Sequence, residues 1–254
     1  MSKQARLHSQ EVRRAEQVVS VKRSRRRRIL LSLGALLIAG LVAAIVVAVV
    51  QAAGQERSLP EVAGKVVVPR HLTDTGAIAV GAADAPVTVE IYYDYMCPAC
   101  GAFESANSGE LTRLVADGTA RIELRPIAFL DEQSSGTEYS TRSANAIAVV
   151  ADAAPDHAWD FHTALYEHQP AEGSEGLSDE QIAAVAADAG VPADVVDRFT
   201  DDVYRPWVAS VTQQAFDSGV KGTPTVKIDG TLFEGNAFIV GPLTTAIESA
   251  AADR

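Results

Sequence analysis

The chain has 254 residues, with 22 Lys/Arg against 33 Asp/Glu and a formal net charge of −11. That acidity argues against nucleic acid as the partner of the folded part, and the length leaves enough residues for a core of ordinary size. There are only two cysteines, too few for a disulfide-stapled scaffold and too close together for a useful staple.

Charge is divided sharply along the chain. Residues 1–28 hold ten Lys/Arg and two Glu and end in Arg25-Arg26-Arg27-Arg28, a local surplus of +8, while the remaining 12 Lys/Arg against 31 Asp/Glu give −19. Ile29 to Val50 follows with no charged residue. At helical rise, 22 residues span a hydrocarbon core of about 30 Å, so residues 29–50 are predicted to be a single transmembrane anchor. The basic flank predicts a cytoplasmic tail at 1–28 and everything after residue 50 outside. A cleaved signal peptide is the alternative, because Gln51-Ala52-Ala53-Gly54 is small enough for processing, although the apolar run exceeds the usual signal core. Neither cysteine lies near the span, which excludes a lipoprotein anchor. Residues 51–75 contain Gly54, Pro60, Gly64 and Pro69 with little periodicity and are read as a tether, with a short strand at Lys65 to Val68.

From residue 76 onward the pattern is α/β. A short strand is predicted at Ala77 to Val80, a turn at Gly81 to Pro86, and a buried strand at Val87 to Tyr93, rich in β-branched and aromatic residues. That strand runs straight into Cys97-Pro98-Ala99-Cys100. A helix through Gly101 to Val115 follows, weakened by the Ser, Asn and Gly at 105–109, and then a strand at Ala120 to Phe129. A helical insertion is expected over about 138–219, with helices at Ala144 to Ala153, Trp159 to Glu167, Ser178 to Ala189 (opened by Ser178-Asp179-Glu180-Gln181) and one or two within Ala193 to Asp217. Val220 to Phe233 reads as a hairpin turning at Asp229-Gly230, with Pro224 at its entrance, and Pro242 to Ala252 as a closing helix.

A Cys-x-x-Cys pair at a strand-to-helix junction suits thiol exchange. The thiolate is the reacting species, and a cysteine at a helix start sees unpaired N–H groups and the positive end of the helix dipole. Cys97 is therefore assigned as nucleophile and Cys100, one turn on, as the resolving thiol. Pro98 fits the first helical turn, where its missing N–H costs nothing.

Asp94-Tyr95-Met96-Cys97-Pro98-Ala99-Cys100, the later Gly222-Thr223-Pro224-Thr225 and the helices between them resemble the DsbA-like branch of the thioredoxin superfamily, over roughly residues 76 to 252. The resemblance implies a thioredoxin-like fold with a helical insertion, a cis proline at Pro224 beside the dithiol, and a redox-tuning role for Thr223. Two positions depart from the family. Many relatives carry a buried relay acid six residues before the first cysteine, where this chain has Ile91; Glu90, one residue off, points to the opposite strand face and is not assigned. Asp94 remains open between a role at the dithiol and a solvent-facing or helix-capping acid. Strongly oxidising relatives often have His where this chain has Ala99, leaving thiolate stabilisation mainly to backbone N–H groups and the helix terminus and predicting a milder oxidant.

Other clusters are read as structural. His157, His162 and His168 lack convergent spacing for a metal; Trp159, Phe161 and Leu165 read first as helix packing, with the border of a peptide groove as the alternative, and Tyr92, Tyr93 and Tyr95 share that choice, core packing leading for the first two and the rim of the site open to Tyr95. No cofactor and no metal are expected. The leading function is a membrane-anchored extracytoplasmic thiol-disulfide oxidoreductase that oxidises cysteine pairs in exported proteins, with a membrane reoxidase as second partner. The alternatives are a disulfide reductase of the same fold, or a non-enzymatic binding or copper-chaperone domain holding a soft cation on the cysteine pair.

Overall fold

The computed structural model describes residues 65–254. The predicted tail, the anchor and most of the predicted tether lie outside the described residues. Among the described residues no helix is long and apolar enough to cross a membrane.

Five strands form one sheet in the order β1-β3-β2-β4-β5, with β1 at Ile78–Val80, β2 at Val87–Tyr93, β3 at Ala120–Pro126, β4 at Thr225–Ile228 and β5 at Thr231–Leu232. β2 pairs parallel with β3, and all other pairings are antiparallel. The parallel pair requires a crossover, which α1 (Pro98–Ala116) supplies. Between β3 and β4 lies the helical insertion: α2 (Tyr139–Ala153), α3 (Ala158–Glu167), α4 (Asp179–Asp188), the single turn α5 (Ala193–Val196) and α6 (Arg205–Asp217). The chain closes with α7 (Pro242–Ala252).

β2 is central and buried on both faces, so its alternation sorts side chains between two cores rather than between core and water. Val87, Val89, Ile91 and Tyr93 enter the main core, which also takes Cys100, Phe103, Leu111 and Leu114 from α1. Tyr92 enters a smaller cluster with Ile127, Ala215 and Val220. Glu90 shares that second side and pairs with Arg125 at 3.0 Å. Ile91 is thus in the place expected from the alternation, and Glu90 faces away from the main core.

Local signals act as the residue types dictate. Ser178 accepts from the Gln181 N–H while Gln181 bonds back to the Ser178 N–H, a reciprocal cap that starts α4. Asp229 and Gly230 both adopt positive φ, 49° and 79°, the geometry of a two-residue turn whose twist matches its strands. α1 runs unbroken through Ser105 to Gly109, because Asn107 is buried there and its amide donates to the carbonyls of Phe103 and Ala237 at 2.8 Å each.

The valine run at Lys65 to Val68 forms no strand. Its side chains are exposed, and Leu72 makes the antiparallel bridge to Ile78 instead. Chain docking begins earlier than residue 76: Arg70 binds the Asp152 carboxylate through its backbone N–H at 2.9 Å and its guanidinium at 3.0 Å, and Thr75 donates to Glu123 at 2.8 Å.

Candidate active site

β2 ends at Tyr93, and the next four residues turn the chain into α1 with Cys97 as the N-cap residue and Pro98 in the first turn. Because Tyr92 pairs with Thr225 across the sheet, the loop preceding β4 lies beside this turn. That loop holds the cis peptide bond Thr223-Pro224. The Cys97 thiol donates to the Thr223 carbonyl at 3.4 Å, joining residues 126 apart in sequence.

The two thiols, both free, differ in environment. Cys97 is 7% exposed and Cys100 is 1% exposed. The Cys97 thiol is pulled down to about 6, chiefly by a hydrogen bond from the Cys100 thiol; partial burial opposes this, and Thr223 and the backbone N–H groups of Cys100 and Ala99 help. Burial pushes Cys100 well above the ordinary thiol value, and donating to Cys97 pushes it further. The helix start contributes as the sequence suggests, but the largest stabilisation comes from the second cysteine and not from the backbone. Ala99 takes part only through its N–H, and Pro98 is exposed beside Cys97. The Thr223 hydroxyl is buried without a hydrogen-bond partner of normal geometry among the described residues. This leaves it available to a thiolate.

The stabilisation belongs to the Cys97 anion, so it is lost as pH falls through about 6. The rate of Cys97 alkylation is expected to rise through about pH 6 and then level off, with Cys100 protected throughout. Stopped-flow alkylation against pH checks this, and a midpoint near the ordinary thiol value of about 8.5 would overturn it.

Asp94 is neither solvent-facing nor a side-chain helix cap. It is 1% exposed, and its carboxylate accepts from the backbone N–H groups of Met96 (2.8 Å), Phe129 (2.7 Å) and Leu130 (2.8 Å) and from the Ser140 hydroxyl (2.6 Å). Its backbone carbonyl accepts from the Cys97 N–H at 3.0 Å and the Tyr166 hydroxyl at 3.1 Å. Burial pushes the carboxyl up to about 7 against the four bonds that favour its charged form. Asp94 therefore ties the turn before the dithiol to the β3 exit loop and to α2.

Tyr95, expected at the rim, is buried. Its hydroxyl meets His162 Nδ1 at 3.1 Å and the Tyr93 hydroxyl at 3.3 Å, and His162 Nε2 meets Glu104 Oε1 at 3.0 Å. The insertion accounts for the difference, since α3 brings His162 and Tyr166 over the turn. Glu104 stands four residues after Cys100 on the same buried face of α1, a spacing legible in the sequence. His162, Ser140 and Gln169 have no comparable signal. Among the described residues no group of three or more His, Cys, Asp or Glu could hold a metal ion.

A dithiol of unequal acidity at the end of a central strand, faced by a cis-proline loop and roofed by an inserted helical layer, defines a DsbA-like member of the thioredoxin superfamily. The chain belongs to the thioredoxin family, whose model matches residues 73–240. Reduced DsbA from Mycobacterium tuberculosis superposes with a TM-score of 0.58 at 28% identity, covering 70% of this chain and 98% of that one. Disulfide bond formation protein D of Bacillus subtilis is 25% identical over 164 residues, 64% of this chain and 72% of that protein. The serine/threonine-protein kinase PknE of Mycobacterium tuberculosis is 27% identical over 164 residues, 63% of this chain. The chain spans only 27% of that kinase's length.

Proposed function

We propose that the chain is a membrane-anchored, extracytoplasmic thiol-disulfide oxidoreductase that oxidises cysteine pairs in exported proteins. The carrying observation is the placement of the dithiol: Cys97 caps α1 beside the cis Thr223-Pro224 loop with Cys100 buried one turn on, and in that setting Cys97 is lowered to about 6 and Cys100 raised. In the oxidised protein a client thiolate attacks Cys97 Sγ, the Cys97–Cys100 bond breaks, and Cys100 leaves and takes up a proton. A second client thiolate then attacks the client sulfur of the mixed disulfide and expels Cys97 as a stable thiolate. The client loses two electrons and the dithiol gains them. Thiolate stabilisation favours the reduced form, and that makes the disulfide the stronger oxidant. Thr223 and Pro224 border the nucleophile, and Pro98 and Ala99 set the helix start behind it.

The sequence supports this topology with a basic cytoplasmic tail at 1–28, an anchor at 29–50 and a tether from residue 51, while the catalytic domain takes in the chain from Arg70 onward, where docking begins. A membrane reoxidase then accepts the two electrons from Cys97 and Cys100. The test is the equilibrium reduction potential of the full-length protein against glutathione. A value toward the DsbA end, about −120 mV, supports the oxidant, and one near thioredoxin, about −270 mV, turns the reading to a reductase. Cys97→Ser is expected to abolish exchange and Cys100→Ser to accumulate mixed disulfides. In intact cells a membrane-impermeant maleimide is expected to label reduced Cys97, and exclusive labelling after lysis would overturn the topology.

A further inference from the structure

Gly101 occupies the second turn of α1, where glycine is disfavoured against alanine and no positive φ calls for it. A Cβ built there would lie 2.1 Å from Oε1 and 3.0 Å from Cδ of Gln169, and the three nearest atoms all belong to that side chain. Gln169 follows α3 by two residues and is half-buried. Its amide nitrogen donates to the carbonyl of Cys97 at 2.8 Å and to that of Tyr95 at 3.0 Å. Both amide hydrogens are thereby spent on the two residues that bracket Met96, and the Cys97 carbonyl, already bonded to the Cys100 and Gly101 N–H groups, gains a third donor.

We propose that Gln169 is the positioning residue of the dithiol: its amide, seated in the space that Gly101 leaves open, clamps the backbone of Cys97 and Tyr95 and aims the Cys97 sulfur at its partners. Cys97 is an N-cap residue with extended backbone angles, φ −76° and ψ 115°, and no side-chain capping bond of its own. Holding its carbonyl holds the local backbone and with it the Cα–Cβ bond, the base from which Sγ reaches the Thr223 carbonyl. Gln169 makes no hydrogen bond to either sulfur and acts only through this backbone. The helical insertion thus reaches the reacting centre with an amide as well as roofing it.

The inference rests on the dithiol being the reacting centre, and the experiment separates the two ideas. Cys97 alkylation at pH 7, its pH midpoint and the rate of exchange with glutathione are measured on the full-length wild type, Gln169→Ala, Gly101→Ala and the double variant, with thermal melts of each. In Gln169→Ala the exchange rate is expected to fall about tenfold, the factor equivalent to about 1.4 kcal/mol, with the pH midpoint displaced upward. Gly101→Ala is expected to show the same loss although helix propensity favours alanine, because the new methyl displaces the amide. In the double variant the second substitution is expected to add no further loss, because the obstructed group is gone. Rates and midpoints of both single variants matching wild type, or losses that simply add, would overturn the clamp. A lowered melting temperature with an unmoved pH midpoint would assign Gln169 a purely structural role and overturn it as well. A wild type that performs no exchange would instead remove the functional reading.

Discussion

Replacing Asp94 with alanine is expected to lower stability by about 4 kcal/mol or more. Four donors converge on this buried carboxylate, from Met96, Phe129, Leu130 and Ser140. Each buried donor left without an acceptor costs about 1–3 kcal/mol, and the site draws from three separate segments that a water molecule cannot satisfy together. For a domain of this size such a loss lowers the melting temperature by roughly 10 °C. Urea unfolding measures it directly, and a loss below about 1 kcal/mol would show that the loops re-pair without the acid. Asp94→Asn preserves shape but turns an N–H₂ group toward donors, so an intermediate cost is expected.

The same carboxyl predicts a pH signature. Its folded value, about 7, stands above its ordinary one, so the folded state holds the proton more tightly than the unfolded state does. The corresponding stability is complete below the ordinary carboxyl value of about 3.9 and is lost as pH rises through about 7. Wild type is expected to lose stability across that window more steeply than Asp94→Asn, and equal slopes would contradict the assignment.

His162→Ala is the second substitution with a large expected effect. The ring is fully buried, bonded at both nitrogens, stacked on Trp159 at 5.3 Å and edge-on to Tyr93 at 4.6 Å. Glu104 Oε2 has no hydrogen-bond partner among the described residues, so removing the imidazole strands the whole carboxyl in the interior. Truncating a fully buried ring costs about 3–5 kcal/mol through lost packing and the cavity it leaves, and the stranded carboxyl adds to that cost. Glu104→Gln keeps an acceptor for His162 Nε2 but puts an amide NH2 where the partnerless acid oxygen stood. It is expected to cost about 1–3 kcal/mol, less than His162→Ala, and chemical denaturation of both variants gives the comparison. A Glu104→Gln variant less stable than His162→Ala would reverse this account of which partner depends on the other.

What could be read along the chain is what short stretches determine by themselves. Val87 to Tyr93 is a strand by composition, Cys97 and Cys100 sit at its exit by spacing, Ser178 and Gln181 cap a helix reciprocally, and Asp229-Gly230 turns a hairpin. The groups around the dithiol arrive from far away. Asp94 meets Ser140 across 46 residues, Tyr95 meets His162 across 67 and Gln169 meets Cys97 across 72. No local periodicity encodes such pairings, so Tyr95 reads as a rim residue until α3 covers it. The run Val66 to Val68 shows the reverse error. Its β-branched residues suit a strand, but a strand exists only beside another, and Leu72 already occupies the bridge to Ile78. Ala99 likewise hides the main stabiliser of Cys97, since the Cys100 thiol does more there than the absent histidine leads one to expect.

The two borders of the sheet are three and two residues long, β1 at Ile78–Val80 and β5 at Thr231–Leu232. If its clients are extended chains, as proposed above, long flat borders would offer them an open ladder to pair with and accumulate on. Borders this brief offer few free N–H and C=O groups in register, and Leu72 bridges to Ile78 of β1. On the proposed reading, extended clients gain little by adding a strand at either end of the sheet, which leaves the sulfur of Cys97 and the loop beside it as the place of contact.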